Sequence, residues 1–433
     1  MSDLPTHLHG LGEEPLLARV VALAGSARVH LVGGAVRDRL LGRASHDVDL
    51  TVDRDGRALA AALARAGGGR LVALGGDRFA AWRVVFPPRV EGEPSDVLDV
   101  WDREGSSLEE DLARRDLTVN ALAAELPGGE LTDPFGGRAD LAARRLRATT
   151  EHTLADDPLR VLRLARLAAS LDGFAPERHT LELACQAAPA LARVASERIR
   201  TEVETLAAAP GAARGFAVLG AVGIYPEQWV SRPARAGELA RLDRLLQGFD
   251  RAAAALGGRL PAAPLGWAAA RFTLAALALS PPPPPTECLR LLAERGWLSR
   301  DRNREAAHLL PAAEPPRGER ARRWFLHLTA ELWPTAVVTA TTMAREVGSD
   351  WEEKELGALL ELAAAEAEIL RDPPRLVRGD EARELLGLPD GRALGRALDT
   401  LRRMQIEGQI RTRQEAQEWL RGQASPTSRS AAD

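Results

Sequence analysis

The sequence predicts an α/β head, a small mixed sheet with flanking helices, followed by an elongated all-α neck, body and tail. Three observations carry that prediction. Residues 29–52 read as strand, glycine turn, short helix, strand. Residues 70–101 add further runs of β-favouring residues separated by turn residues. Beyond residue 150 the pattern changes to Ala/Leu/Arg runs of helical period, broken by Pro and Gly. On this reading the head spans 1–150, the neck 151–220, the body 221–345 and the tail 346–433.

Each element of the head has a local cause. Pro15–Ala24 forms a first helix, with Pro at its start. Val29, Leu31 and Val32 favour a strand. Gly33 and Gly34 permit a turn that few other residues adopt, and let backbone N–H groups approach a phosphate. Val36–Leu41 is a short helix, and Gly42 suits its end. His46–Val52 alternates, so Val48, Leu50 and Val52 face one side while Asp47 and Asp49 face the other. Gly56–Ala66 is helical and stops at Gly67–Gly69. Arg70–Leu74 and Phe79–Phe86 read as strands. Pro87, Pro88, Gly92 and Pro94 mark a turn, and Val97–Trp101 returns as a strand.

Two carboxylates at i and i+2 on one strand lie side by side and repel unless a cation sits between them. A hard ion such as Mg²⁺ takes oxygen ligands from carboxylates and substrate phosphates. Asp47 and Asp49 therefore form a candidate metal pair. Asp99 on the last strand offers a third carboxylate for a two-metal site, with Asp96 and Asp102 close by as competitors. In SLEEDLARRDLTVNALA, Asp116 and Asn120 stand one helical turn apart and share a face if that stretch is helical. Asp157 precedes Pro158 in the position of a helix N-cap. Arg160, Arg163 and Arg166 then recur every third residue as a basic stripe.

A chain of 433 residues exceeds one compact core. Its formal net charge of −4 means that a nucleic-acid partner needs a local basic surface. The positive charge is almost all Arg, which suits bidentate phosphate and base-edge contacts. Cys185 and Cys288 are the only cysteines and form no CxxC, so neither a disulfide framework nor a thiolate zinc site is indicated. The opening MSDLPTHLHG lacks the features of a signal peptide. Every apolar run is interrupted by charge before it could span a bilayer, so no membrane partner and a cytoplasmic location are expected. Oligomeric state is left between monomer and homodimer.

GGAVRDRLLG followed by HDVDL resembles the first signature of the class II tRNA nucleotidyltransferases. These are the CCA-adding enzymes and their relatives in the DNA polymerase beta superfamily, bacterial poly(A) polymerases included. RRDLTVNA at 114–121 resembles their second motif, RRDxTxNA, and LTDPFGGRADL at 131–141 their third. Asp156, Asp157 and Arg160 resemble the fourth, EDxxR, with Asp156 where Glu is usual. Glu197, Arg198 and Glu202 resemble the fifth, ERxxxE. From Leu376 the chain resembles the family's tRNA-gripping tail, at Gly379, Asp380, Gly387, Gly395, Gly408 and Trp419, with Asp390 replacing the Pro of a Pro-Gly turn.

The resemblance implies an Mg²⁺-dependent transfer of nucleotides to the 3′ end of tRNA. Asp47, Asp49 and Asp99 would be the metal ligands, with Asp99 preferred over its neighbours by its match to the family pattern. Gly33, Gly34, Arg37 and Arg115 would meet phosphates, and Asp116 and Asn120 the ribose. Asp157 and Arg160 would act as a protein template for the base. Arg donates to cytosine N3 and O2 or to adenine N1, and Asp accepts from the exocyclic amine of either. Uracil and guanine present the opposite pattern and would strand buried polar groups. Arg163 and Arg166 would hold the triphosphate or the far edge of the base. Glu197, Arg198 and Glu202 would brace the preceding helix.

Members that add C, C and then A carry a longer flexible segment between the third-carboxylate strand and RRD. Here WDREGSSLEED runs almost directly from one to the other, which resembles the CC-adding form and implies CTP as substrate. The alternatives are a full CCA-adding enzyme using CTP and ATP, a bacterial poly(A) polymerase, and an inactive tRNA-binding protein on the same scaffold. The intact carboxylates oppose the last, and the tRNA-type tail opposes the poly(A) polymerase. No His…His-Asp…Asp arrangement points to an appended phosphohydrolase domain.

Overall fold

The computed structural model describes the chain apart from residues 1–3, 44–46, 75–80, 89–95, 104–106, 225–235, 262–265, 279–283, 390 and 424–433. His46, Phe79, Gly92, Pro94, Pro281 and Asp390 therefore lie outside the described residues. The chain divides into two compact units, one of residues 1–202 with 214–225, the other of 203–213 with 226–433.

The first unit opens with α1 (Pro15–Leu23) and β1 (Val29–Val32), then α2 (Gly34–Leu40), β2 (Asp47–Val52) and α3 (Gly56–Gly67). β3 (Arg70–Leu74), β4 (Ala81–Val85) and β5 (Val97–Asp102) follow, then α4 (Leu108–Ala113), β6 (Ala123–Glu125) and β7 (Leu131–Thr132). These seven strands form one mixed sheet in the order β3-β4-β5-β2-β1-β6-β7. β2 and β5 are parallel, and every other pairing in the sheet is antiparallel. The α/β head expected from the sequence is present. β2 keeps its predicted alternation, with Val48, Leu50 and Val52 in the core.

α5 (Gly137–Ala142) starts where Asp133 accepts hydrogen bonds from Gly137 N at 2.6 Å and Arg138 N at 3.0 Å. β8 (Arg145–Leu146) and β9 (Ala175–Pro176) make a small parallel pair. Between them lie α6 (Thr153–Asp156) and α7 (Leu159–Ser170). Then come α8 (Arg178–Ala187), α9 (Ser196–Ala208) and α10 (Ala212–Ala221). α7 buries Leu159, Val161, Leu162, Leu164, Ala165 and Leu167 and leaves its arginines partly exposed, as an amphipathic helix does.

The regular elements of the second unit are all helices among its described residues. Arg271 is fully buried there, donating to Asp250 at 2.7 Å and to the Ala207 carbonyl at 2.7 Å, and it lies over the rings of Phe249 and Trp267. The three C-terminal helices, Gly379–Leu386, Arg392–Ile406 and Arg413–Gln423, share a core that includes Leu386, Leu401, Ile410 and Leu420. The sequence of Pro281–Pro285 is that of a stiff polyproline loop, yet Pro285 opens the helix Pro285–Glu294, because its fixed φ fits a first turn. Among the described residues no helix is long and apolar enough to cross a membrane.

Candidate active site

A cavity of about 760 Å³ opens in the first unit, lined from the β1–α2 turn, β2, β4, β5, the stretch after α4, and α7. Gly33 shapes its floor. Its φ of 70° with ψ of −136° is a conformation that side chains rarely adopt. A Cβ there would meet Arg115 Nη1 at 3.1 Å and Asp49 Oδ2 at 3.5 Å. The missing side chain is therefore what lets an arginine and a carboxylate close on one turn.

Arg37 stands in the first turns of α2. Its Nη1 donates to Asn120 Oδ1 at 2.6 Å, while Nε and Nη2 fork onto Asp38 at 3.0 and 2.9 Å. Asp116 and Asn120 meet, but not on a shared helical face. Leu117 is extended, and Thr118–Asn120 form a single 3₁₀ turn that brings Asn120 back to Asp116. Asn120 Nδ2 donates to Asp116 Oδ1 at 2.9 Å, and Leu117 N donates to the same oxygen at 2.8 Å. Burial pushes the Asp116 carboxyl up. Arg163, Asn120, Leu117 N–H and Arg160 outweigh it and hold the group below its ordinary value. Arg163 is raised in turn, first by Asp116 and then, against burial, by Glu202, Asp157 and Asp49.

Asp157 caps α7. Its Oδ1 accepts from Leu159 N at 3.2 Å, and its Oδ2 accepts from Arg198 Nη2 at 3.1 Å. Arg160 donates to two backbone carbonyls, Thr153 O at 3.0 Å and Arg114 O at 2.5 Å. Arg166 Nε donates to Glu202 Oε2 at 2.6 Å, and Arg163 Nε lies 3.4 Å from Glu202 Oε1. Of the three residues expected to brace this helix, Arg198 and Glu202 of α9 reach the α7 side of the cavity.

Gly33, Gly34, Arg37, Asp49, Asp99, Arg115, Asp116, Asn120, Asp157, Arg160, Arg163 and Arg166 all line this one cavity. Asp47 begins β2, opposite Val97 of β5, and its side chain lies outside the described residues. Asp99 stands opposite Asp49 across the parallel pair. Its competitor Asp102 accepts from Gly56 N at 2.8 Å and so anchors the start of α3.

Sequence reasoning missed Arg83, which lines the cavity and grips Asp99 with Nε at 2.8 Å and Nη2 at 2.7 Å. Nothing in the β4 sequence announces it, because its importance comes from the register of β4 on β5. It also missed Asp38, although that residue follows Arg37 directly in GGAVRD.

Asp49 and Asp99 supply only carboxylate oxygens, the donor type that a hard divalent cation takes. The residues present therefore fit Mg²⁺. No group of three His, Cys, Asp or Glu suited to an ion occurs among the described residues.

Residues 29–147 match the family described as the poly A polymerase head domain, and residues 173–227 match the family described as a probable RNA and SrmB-binding site of polymerase A. A CC-adding tRNA nucleotidyltransferase of Geobacter sulfurreducens is 33% identical over 437 residues, covering 94% of this chain and 95% of that protein. The chain belongs to the tRNA nucleotidyltransferase family. An A-adding tRNA nucleotidyltransferase of Deinococcus radiodurans is 32% identical, over 92% of this chain and 96% of that one. The solved structure of the Bacillus stearothermophilus CCA-adding enzyme in complex with CTP superposes with a TM-score of 0.71 at 26% identity, covering 95% of this chain and 97% of that one. For a nucleotidyltransferase the cavity's charge is apt. Its described lining holds seven arginines (37, 83, 114, 115, 160, 163, 166) and seven aspartates (38, 49, 99, 102, 111, 116, 157). Within that lining Asp38 pairs with Arg37, Asp99 with Arg83 and Asp111 with Arg115.

Proposed function

We propose that this nucleotidyltransferase adds the two cytidines of the tRNA 3′ end, using CTP and releasing pyrophosphate, and leaves the terminal A to another enzyme. The observation that carries the CC reading is the connection between β5 and α4. Only residues 103–107 join Asp102 to Leu108, a short connection that resembles the CC-adding form.

In this reading Asp47, Asp49 and Asp99 hold Mg²⁺. An ion held by these residues would supply Lewis-acid chemistry, lowering the pKa of the tRNA 3′-OH and neutralising phosphate charge. Gly33 and Gly34 let the backbone close on the phosphates. Arg37 and Arg115 bind the same phosphates and orient the α-phosphorus for in-line attack. Asp116 and Asn120, already joined, present a ribose-binding pair. Asp157 and Arg160 line the cavity from α7 and test the base edge. Their separate anchors, Arg198 for Asp157 and the Thr153 and Arg114 carbonyls for Arg160, fix each group without joining the two. A base offering the wrong donor pattern leaves both unsatisfied.

A transfer assay with tRNA ending at the discriminator base tests the proposal. CTP alone should extend it by two residues, ATP alone by none, and both together should stop at CC. A third residue when both are present makes the protein a full CCA-adding enzyme. An A added only to tRNA already ending in CC makes it an A-adding one, the reading favoured by the Deinococcus relative.

A further inference from the structure

Arg83 lies outside every motif of the sequence, yet it is the group that grips Asp99. The antiparallel register of β4 on β5 sets Arg83 opposite Asp99, and the parallel register of β5 on β2 sets Asp99 opposite Asp49. Residues directly opposite in a sheet share a face. Three adjacent strands therefore carry cation, anion, anion in one transverse row.

The grip takes both oxygens of Asp99, Nε to Oδ1 at 2.8 Å and Nη2 to Oδ2 at 2.7 Å. This is the bidentate fork that a guanidinium makes best. The Asp99 side chain is 11% exposed and that of Arg83 is 44% exposed. The arginine thus reaches a nearly buried acid from the solvent side, and its charge stays hydrated when it withdraws. A divalent ion on the same carboxylate would sit against a like charge.

We propose that Arg83 is a latch on the cation site. It occupies Asp99 while the site lacks a divalent ion, keeps the Asp49–Asp99 pair from repelling, and must release Asp99 as the ion enters. Arg83 thereby sets the affinity of the site for divalent cations. The inference rests on the reading of Asp99 as a cation ligand.

The test is Mn²⁺ binding to the full-length protein without nucleotide, read from the free Mn²⁺ paramagnetic resonance signal. The variants are Arg83→Met, Arg83→Lys, Asp99→Asn and the double variant Arg83→Met/Asp99→Asn. Removing the competing charge should tighten Mn²⁺ about five-fold in Arg83→Met, the size of one partly exposed charge interaction. Arg83→Lys should stay near wild type. The double variant should match Asp99→Asn, because the latch acts only through Asp99. Unchanged or weaker binding by Arg83→Met overturns the latch. Unchanged binding by Asp99→Asn instead overturns the ligand role of Asp99. A purely structural Arg83 would lower the melting temperature of both Arg83 variants and tighten Mn²⁺ in neither.

Discussion

The first unit holds its charged groups in two different ways. On the sheet, Asp49, Asp99 and Arg83 owe their places to backbone register across β2, β5 and β4, with Val48, Leu50, Leu98 and Val100 buried beside them. On α7, Arg163 and Arg166 are steered by carboxylates from elsewhere, Asp116 and Glu202. A ladder of backbone hydrogen bonds survives a change of side chain. A web of ion pairs does not, because removing one member leaves its partner's charge stranded. Chemistry at the sheet should therefore be separable from stability, and at the helix the two should move together.

The largest effect tests the sheet half of that contrast. Asp49→Asn keeps shape and removes charge. Transfer should fall on the order of 10³-fold, or ~4 kcal/mol of transition-state stabilisation. Melting temperature and tRNA affinity should hold, since β2 is fixed by its neighbours. A large fall in melting temperature measured by calorimetry would break the contrast, showing that the carboxylate is also part of the fold.

What was legible in the sequence follows the same division. The glycine turn and the alternation of β2 are local signals, and both stand in the structure. The cap at Asp157 is equally local. The row from Arg83 to Asp99 depends on which residue of β4 lies beside which residue of β5, and no pattern within either strand states that. The stretch 116–120 misled for another reason. Its spacing suits a helix, but Thr118 Oγ1 donates to Asp140 at 2.7 Å, and a Cβ on Gly137 would come within 2.2 Å of the Thr118 carbonyl oxygen. α5 presses that close, and tertiary contact decides the local shape.

A smaller effect tests the helix half. Glu202→Ala leaves Arg163 and Arg166 without their shared acid, whose side chain is 13% exposed. Stability should fall by ~1–3 kcal/mol. KM for the nucleotide should rise several-fold while kcat changes less, because the arginines are misplaced rather than removed. Adding Arg166→Met should restore part of the stability and none of the KM. Full restoration of both would mean that Glu202 serves the fold alone.

The smallest effect uses pH to pull the two halves apart. His30 sits in β1 between Thr51 of β2 and Glu125 of β6 and is 9% exposed. Burial lowers its pKa below 6.5, assisted by Arg103 and Arg28 and opposed by Glu125 and Asp53. The folded state thus favours the neutral ring, and the unfolded state binds more protons as pH falls through 6.5. Stability from this group is present above that pH and is lost below it. The Asp116 web on the helix side has the depressed carboxylate, so its contribution stays intact until pH falls to 3.8 and beyond. Between about pH 7.5 and 5.5 the sheet should lose stability through His30 while the α7 ion pairs stay charged. His30→Gln should flatten the fall of the melting temperature over that interval, whereas Glu202→Ala should lower the whole curve without changing its slope. Equal slopes in wild type and His30→Gln would place the acid sensitivity elsewhere, and a slope altered by Glu202→Ala would show that sheet and helix are not the independent systems their contacts describe.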